Sequence, residues 1–200
     1  MGPVSTGLGE VLMWTVAYEH PEGKGAKIVD GQPGWQSDGS FLTAEREQLR
    51  RHLERRSGQG ARLNINVLGE AVLGDDEASN RLDRVIEMLN RPEVTYISVK
   101  ISAIAAQLST YDHEGSAQRV AERLRRLYRA AAATTPRTFV NLGMEEFRDL
   151  ALTVDVFSEV LESAEFRDME AGIVLQAYMP ECHAEFERLL AWARTRRVQG

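Results

Sequence analysis

Lys100 stands inside the apolar run VTYISVKISAI, residues 94–104, where every neighbour asks for an aliphatic side chain. Burying an ammonium costs several kcal/mol unless it is paired or neutralised, and chains accept that cost mainly where the lysine has work to do. Two chemistries suit it. A fixed cation can stabilise negative charge that develops on a bound group. A desolvated lysine can instead attack a carbonyl as a neutral amine and form a Schiff base. The structural alternative is an interior lysine paired with a carboxylate. A second polar residue, Gln176, interrupts the apolar run AGIVLQAY. It is either a ligand contact or a hydrogen-bonding residue of the core. Asn66, Glu70, Ser102, Asn141, Glu145, Glu146 and Tyr178 lie on or just after similar runs. The three glutamates also read as acids placed at helix N-termini. Cys182 is the single cysteine, and with His183 it offers no ligand set of metal-site spacing, so no metal is expected. His20, His52 and His113 read as solvated, and GKGAK lacks both the glycine spacing and the Lys-Ser/Thr ending of a phosphate loop.

The elements that must position these residues follow from periodicity. From Phe41 onward helices and strands alternate. TAEREQLRRHLERR reads as a helix with Thr43 as its cap and Leu49 and Leu53 inward; residues 62–68 read as a strand. A helix then carries Leu82, Val85, Ile86 and Leu89 on one face, before the strand at 94–104. The next helix, capped by Ser116, turns Val120, Leu124, Leu127 and Tyr128 inward and leads to a strand at 138–142. After one more helix comes a strand at 172–178, then a last helix with Phe186, Leu189, Leu190 and Ala193 inward. Strand and helix repeat at intervals of about 35 to 40 residues, the mark of right-handed βα units and a parallel sheet. The first strand–helix turn, LGEAVLGDD, is not a dinucleotide-binding fingerprint. A complete (β/α)8 barrel takes ~250 residues. The expected fold is therefore α/β, with about four parallel βα units making roughly half of a TIM-type barrel. In such sheets the working residues sit at the carboxyl ends of the strands.

Residues 1–40 form a Gly/Pro-rich lead-in whose one apolar run, VLMWTVAY, reads as a strand, and residues 41–200 form the partial barrel. The net charge of −6, with basic residues mixed among acidic ones, gives no electrostatic reason to expect nucleic acid or an anionic membrane as partner. A lone cysteine, no apolar stretch approaching ~18 residues and no signal-peptide pattern at the start point to the cytoplasm.

Taken in order, LNINVLGEAVLG, YISVKISAI, FVNLGMEEFRDL and GIVLQAYMPE resemble the proline dehydrogenase domain of the proline utilisation A flavoenzymes, over about residues 61–197. The resemblance implies a distorted (β/α)8 barrel that holds FAD and oxidises L-proline to 1-pyrroline-5-carboxylate by hydride transfer to flavin N5, often passing electrons on to a membrane quinone. It implies that Lys100 lies against the flavin and active site, that Gln176 contacts the flavin, and that Glu70, with Tyr178 beside it, lines the substrate site.

Two departures bear on activity. The family's third strand motif reads Asn, apolar, Asp, apolar, Glu-Glu, whereas this chain has VNLGMEE with Gly143 in the aspartate's place. Without that carboxylate Lys100 is less compensated, and its pKa is expected to fall by desolvation. The chain also ends at ARTRRVQG, where the family continues into further strands and a helix with paired arginines. The expectation is an amino-terminal half-barrel that binds FAD poorly by itself and self-associates through its exposed faces. A catalytically silent interaction module and a Schiff-base lysine enzyme are the alternatives.

Overall fold

In a computed structural model, the structure describes residues 13–19, 41–43, 46–59, 62–67, 72–143 and 146–198. The chain divides into two compact units, Met1–Leu68 and Gly69–Gly200.

In the first unit, β1 (Met13–Glu19) is flanked on both sides by parallel partners, β2 (Phe41–Thr43) and β3 (Arg62–Val67). Helix α1 (Arg46–Gly58) connects the two outer strands. The four-residue spacing of Leu49 and Leu53 puts both on one helix face, and both are buried. Thr43 is the last residue of β2. His52, expected in solvent, is buried beside Leu53 with its ring nitrogen 2.9 Å from Arg55. The reason is periodicity: position 52 lies on the inner flank of the stripe that begins at Leu49.

The second unit runs through α2 (Asp75–Leu89), β4 (Tyr96–Lys100), the short α3 (Ile101–Ile104), α4 (His113–Ala132), β5 (Phe139–Gly143), α5 (Leu150–Glu162), β6 (Ala171–Ile173) and α6 (Glu181–Val198). Strands β4, β5 and β6 are parallel neighbours in that order. Strand–helix alternation is as the periodicity demands. Ile97, Val99, Val140 and Leu142 alternate along β4 and β5 and are fully buried, as are Val120, Leu124, Leu127 and Tyr128 of α4. Each such aliphatic or aromatic side chain contributes about 1.5–3 kcal/mol of burial.

Several local expectations give way. The strand expected over 94–104 ends at Lys100, and Ile101–Ile104 coil into one helical turn. The strand expected over 172–178 ends at Ile173, which leaves Gln176 and Tyr178 in the following connection. Asp112, not Ser116, caps α4 by accepting from the Gly115 amide at 3.0 Å. Ser116 lies inside the helix and exchanges hydrogen bonds with the Ser109 backbone. On α6 only Leu189 of the expected inward set is buried; Phe186 and Leu190 are 49% and 38% exposed, and Ala193 is exposed.

Helix α6 is held instead against α5 and the connection before β6. Trp192 meets Phe157 edge-on at 5.7 Å and donates from Nε1 to Glu162 at 2.9 Å. Arg188 reaches Asp155 at 2.6 Å. Arg196 donates to the carbonyl oxygens of Phe166, Arg167 and Met169 at 2.7–2.9 Å.

Candidate active site

One face of the β4–β5 pair is assembled from even-numbered residues of β4 and odd-numbered residues of β5, because successive side chains of a strand point to opposite faces. The register pairs Tyr96 with Phe139, Ser98 with Asn141 and Lys100 with Gly143. From the amino to the carboxyl end the face changes character in three steps. Tyr96 and Phe139 pack edge to face at 5.0 Å. Next, Asn141 Nδ2 donates to Ser98 Oγ at 3.3 Å. At the carboxyl end stands Lys100, half-buried, opposite a glycine. The backbone leaves extended geometry directly after it (φ −96°, ψ 142°) to enter α3, so the ammonium is carried at the edge of the sheet rather than in mid-strand.

Gly172 continues this face onto β6. It is the register partner of Asn141, and a Cβ there would meet Asn141 Oδ1 at 2.5 Å and the Phe139 ring at 3.0 Å. Only glycine lets β6 lie this close to the Asn141 amide. At position 143 the opposite holds: a Cβ would touch only Lys100 Cγ, at an ordinary 3.6 Å. Among the described residues, nothing else lies within 4 Å of that position.

An acidic–basic cluster follows β5. Arg148 Nε lies 2.7 Å from Glu146 and 3.8 Å from Asp149. Asp149 is buried at the start of α5, and its backbone carbonyl accepts from Thr153 Oγ1 at 2.6 Å. Burial holds its carboxyl above the usual carboxylate range, against the pull of Arg148 and with a push from Glu146. Sequence reasoning missed Arg148 and Asp149. The signal was a second acid–base pair, FRDL, directly after the Glu-Glu pair.

The remaining expected site residues fall as follows. Glu70 and Glu145 lie outside the described residues. Gln176 is half-buried in the connection after β6. Tyr178 is 79% exposed, with its ring in solvent. Ser102 contributes its carbonyl oxygen to the Val72 amide at 3.1 Å. Asn66 is half-buried on β3 of the first unit. Cys182 is buried and free, while His183 is exposed, 3.6 Å from Glu187. His113 pairs with Asp155 at 2.9 Å. Among the described residues no helix is long and apolar enough to cross a membrane.

A parallel sheet with helices following its strands, with Lys100 at the carboxyl end of β4, defines an α/β chain of the barrel kind. The particular family follows from comparison with known proteins. Residues 49–199 match the family described as proline dehydrogenase, and the chain belongs to that family, a family of oxidoreductases. The solved structure of Proline Utilization A (PutA) from Corynebacterium freiburgense superposes with a TM-score of 0.76 and 46% identity, over 80% of this chain and 16% of that one. PutA from Bdellovibrio bacteriovorus, inactivated by N-propargylglycine, shares the fold with a TM-score of 0.68 at 24% identity, over 75% of this chain and 18% of that one. A separate likeness covers 49 residues, 24% of this chain, which are 71% identical to the nickel-cobalt-cadmium resistance protein NccA of Alcaligenes xylosoxydans xylosoxydans. The chain spans only 5% of that protein and of the related resistance protein CnrA of Cupriavidus metallidurans.

Proposed function

We propose that this chain carries part of an FAD-dependent site for the oxidation of L-proline to 1-pyrroline-5-carboxylate. The observation that carries this reading is Lys100 at the carboxyl edge of β4, half-buried above the Ser98–Asn141 hydrogen bond, in a chain of the proline dehydrogenase family. The donor chemistry fits a flavin: the Lys100 ammonium is carried by the last residue of β4 and the Gln176 amide lies three residues after β6, both half-buried. When bound, FAD supplies the two-electron acceptor that takes the hydride from the proline ring carbon at N5. Lys100 would stabilise negative charge on the reduced ring, Gln176 would orient the ring, and Glu70 with Tyr178 would bound the substrate side. Residues 41–200 make the barrel-like portion in this reading, a membrane quinone is the onward acceptor, the compartment is cytoplasmic, and the partial barrel self-associates.

A second reading, a catalytically silent module of the same fold, is favoured by one observation: position 143, the register partner of Lys100, is a glycine.

The test is a titration of the purified chain with FAD, followed by flavin absorbance and fluorescence, then addition of L-proline. Saturable binding that bleaches with L-proline and weakens about 10-fold or more in Lys100→Met supports the site. Binding that Lys100→Met leaves unchanged removes the lysine from it. Absence of binding at any accessible FAD concentration supports the silent module.

A further inference from the structure

We propose that Asn141 and Gly172 are positioning residues for the flavin site: their contact sets where β6 lies against β5, and with it the reach from Lys100 to Gln176. The proposal rests on the preceding reading and deepens it, since Lys100 and Gln176 are the two groups which that reading gives to the flavin.

Those two groups belong to strands that are not neighbours. Lys100 ends β4 and Gln176 follows β6, with β5 between them. Whatever fixes both flanks of β5 therefore fixes the pair.

Asn141 stands at that junction. The register sets it opposite Ser98 on one side and Gly172 on the other. Toward β4 its Nδ2 donates to Ser98 Oγ at 3.3 Å, two residues before Lys100 on the same face. Toward β6 its Oδ1 lies 2.5 Å from the point a Cβ on Gly172 would occupy. The Asn141 side chain is buried, and a buried amide that loses a partner is destabilised. It cannot swing away from β6 without giving up the bond to Ser98.

The contact is transmitted along β6. Pairing with β5 runs past the end of the strand, where the Val174 amide donates to the Leu142 carbonyl at 2.8 Å. Gln176 comes two residues later, and its own carbonyl accepts from the Met179 amide at 3.0 Å in the turn before α6. Little free chain separates the Gly172 contact from the Gln176 amide. A displacement of β6 at residue 172 is therefore passed to Gln176, while Lys100 stays with β4.

Gly172→Ala is the direct perturbation. Its methyl must either break the Asn141–Ser98 bond or push β6 away, and the Phe139 ring, 3.0 Å from the same point, gives no relief.

The experiment is FAD titration of the full 200-residue chain and its variants, with circular dichroism and urea unfolding on each. Gly172→Ala should weaken FAD binding by about 10-fold or more, the scale on which sub-ångström misplacement acts. In a Gln176→Ala chain, which already lacks the displaced amide, the same substitution should change the affinity by less than about 3-fold. Adding Asn141→Ala to Gly172→Ala removes the atom the methyl meets, so the double variant should recover part of the urea midpoint lost by Gly172→Ala, or recover folding if Gly172→Ala alone does not fold. Equal losses of FAD affinity with and without Gln176 would mark a general effect on the fold and overturn the proposal. So would a Gly172→Ala chain with wild-type affinity, or a double variant that recovers nothing. A wild type that binds no FAD removes the preceding reading and this proposal together, whereas wild-type binding with any of the other failures leaves that reading standing.

Discussion

Lys100 and Gly143 are register partners across the parallel strands β4 and β5, and a methyl group at position 143 would stand 3.6 Å from Cγ of the lysine. Among the described residues no other atom lies within 4 Å of that methyl position. Gly143→Asp should place opposite charge there and stabilise the charged form of Lys100. The expected gain is about 0.5–1 kcal/mol in urea unfolding at neutral pH, reduced at high salt. Gly143→Asn is the control for the added side chain itself. Equal gains in both variants would mean that the charge contributes nothing.

Arg196 closes the connection before β6 by donating to Phe166, Arg167 and Met169, with its guanidinium 5.7 Å from the Trp192 ring centre. Charge-assisted hydrogen bonds of this kind are among the stronger ones. Arg196→Met should lower unfolding free energy by about 2 kcal/mol, and Arg196→Lys should recover part of it. Denaturant titration of both variants checks this; no difference between wild type and Arg196→Met would show that the three carbonyls are as well served by water.

Tyr128 is fully buried against Phe166, with rings 5.7 Å apart, and among the described residues its hydroxyl has no hydrogen-bond partner. Burial keeps the phenol protonated far above its usual range. Removing a buried hydroxyl that bonds to none of the described residues should stabilise, so Tyr128→Phe is expected to gain about 1 kcal/mol by chemical denaturation. A loss of similar size would reveal a partner for the hydroxyl.

Asp149 gives a pH dependence of defined sign. Its folded-state pKa is raised by burial above the ordinary 3.8, so the folded chain binds the proton more tightly than the unfolded chain. Stability from this group is full below the unfolded value and declines as pH rises from there through the folded value. At neutral pH the charged carboxylate is a net cost. Asp149→Asn should therefore be more stable than wild type at pH 7, with the difference shrinking as pH falls toward 4. Parallel pH–stability curves for the two proteins would rule this out.

The backbone plan was legible because its signals are long. The stripe Val120, Leu124, Leu127 and Tyr128 extends over two turns of α4, and no competing feature obscures it. Short elements were not legible. The three residues of β2 carry too little alternation to separate from the helix that follows, and Ile101–Ile104 are as apolar as the strand they terminate. In the site, Lys100 announced itself by being polar in an apolar run. Asp149 did not, since an acid at the start of a helix ordinarily sits in water with the helix dipole. A single 3-10 turn at Phe147–Asp149 carries it inward instead. Phe186 and Leu190 show the converse limit: periodicity identifies a face that needs cover without saying whether this chain supplies it.

The two sides of the β4–β5 pair answer to different demands. The side bearing Ile97, Val99, Val140 and Leu142 is sealed against water and gives the second unit much of its cohesion. The side bearing Ser98, Asn141, Lys100 and Gly143 contributes little to that sealing at its carboxyl end. Cohesion and the polar side chains thus lie on opposite surfaces of the same strands. A side chain can be added at position 143 or taken away without touching the aliphatic surface that holds the strands together.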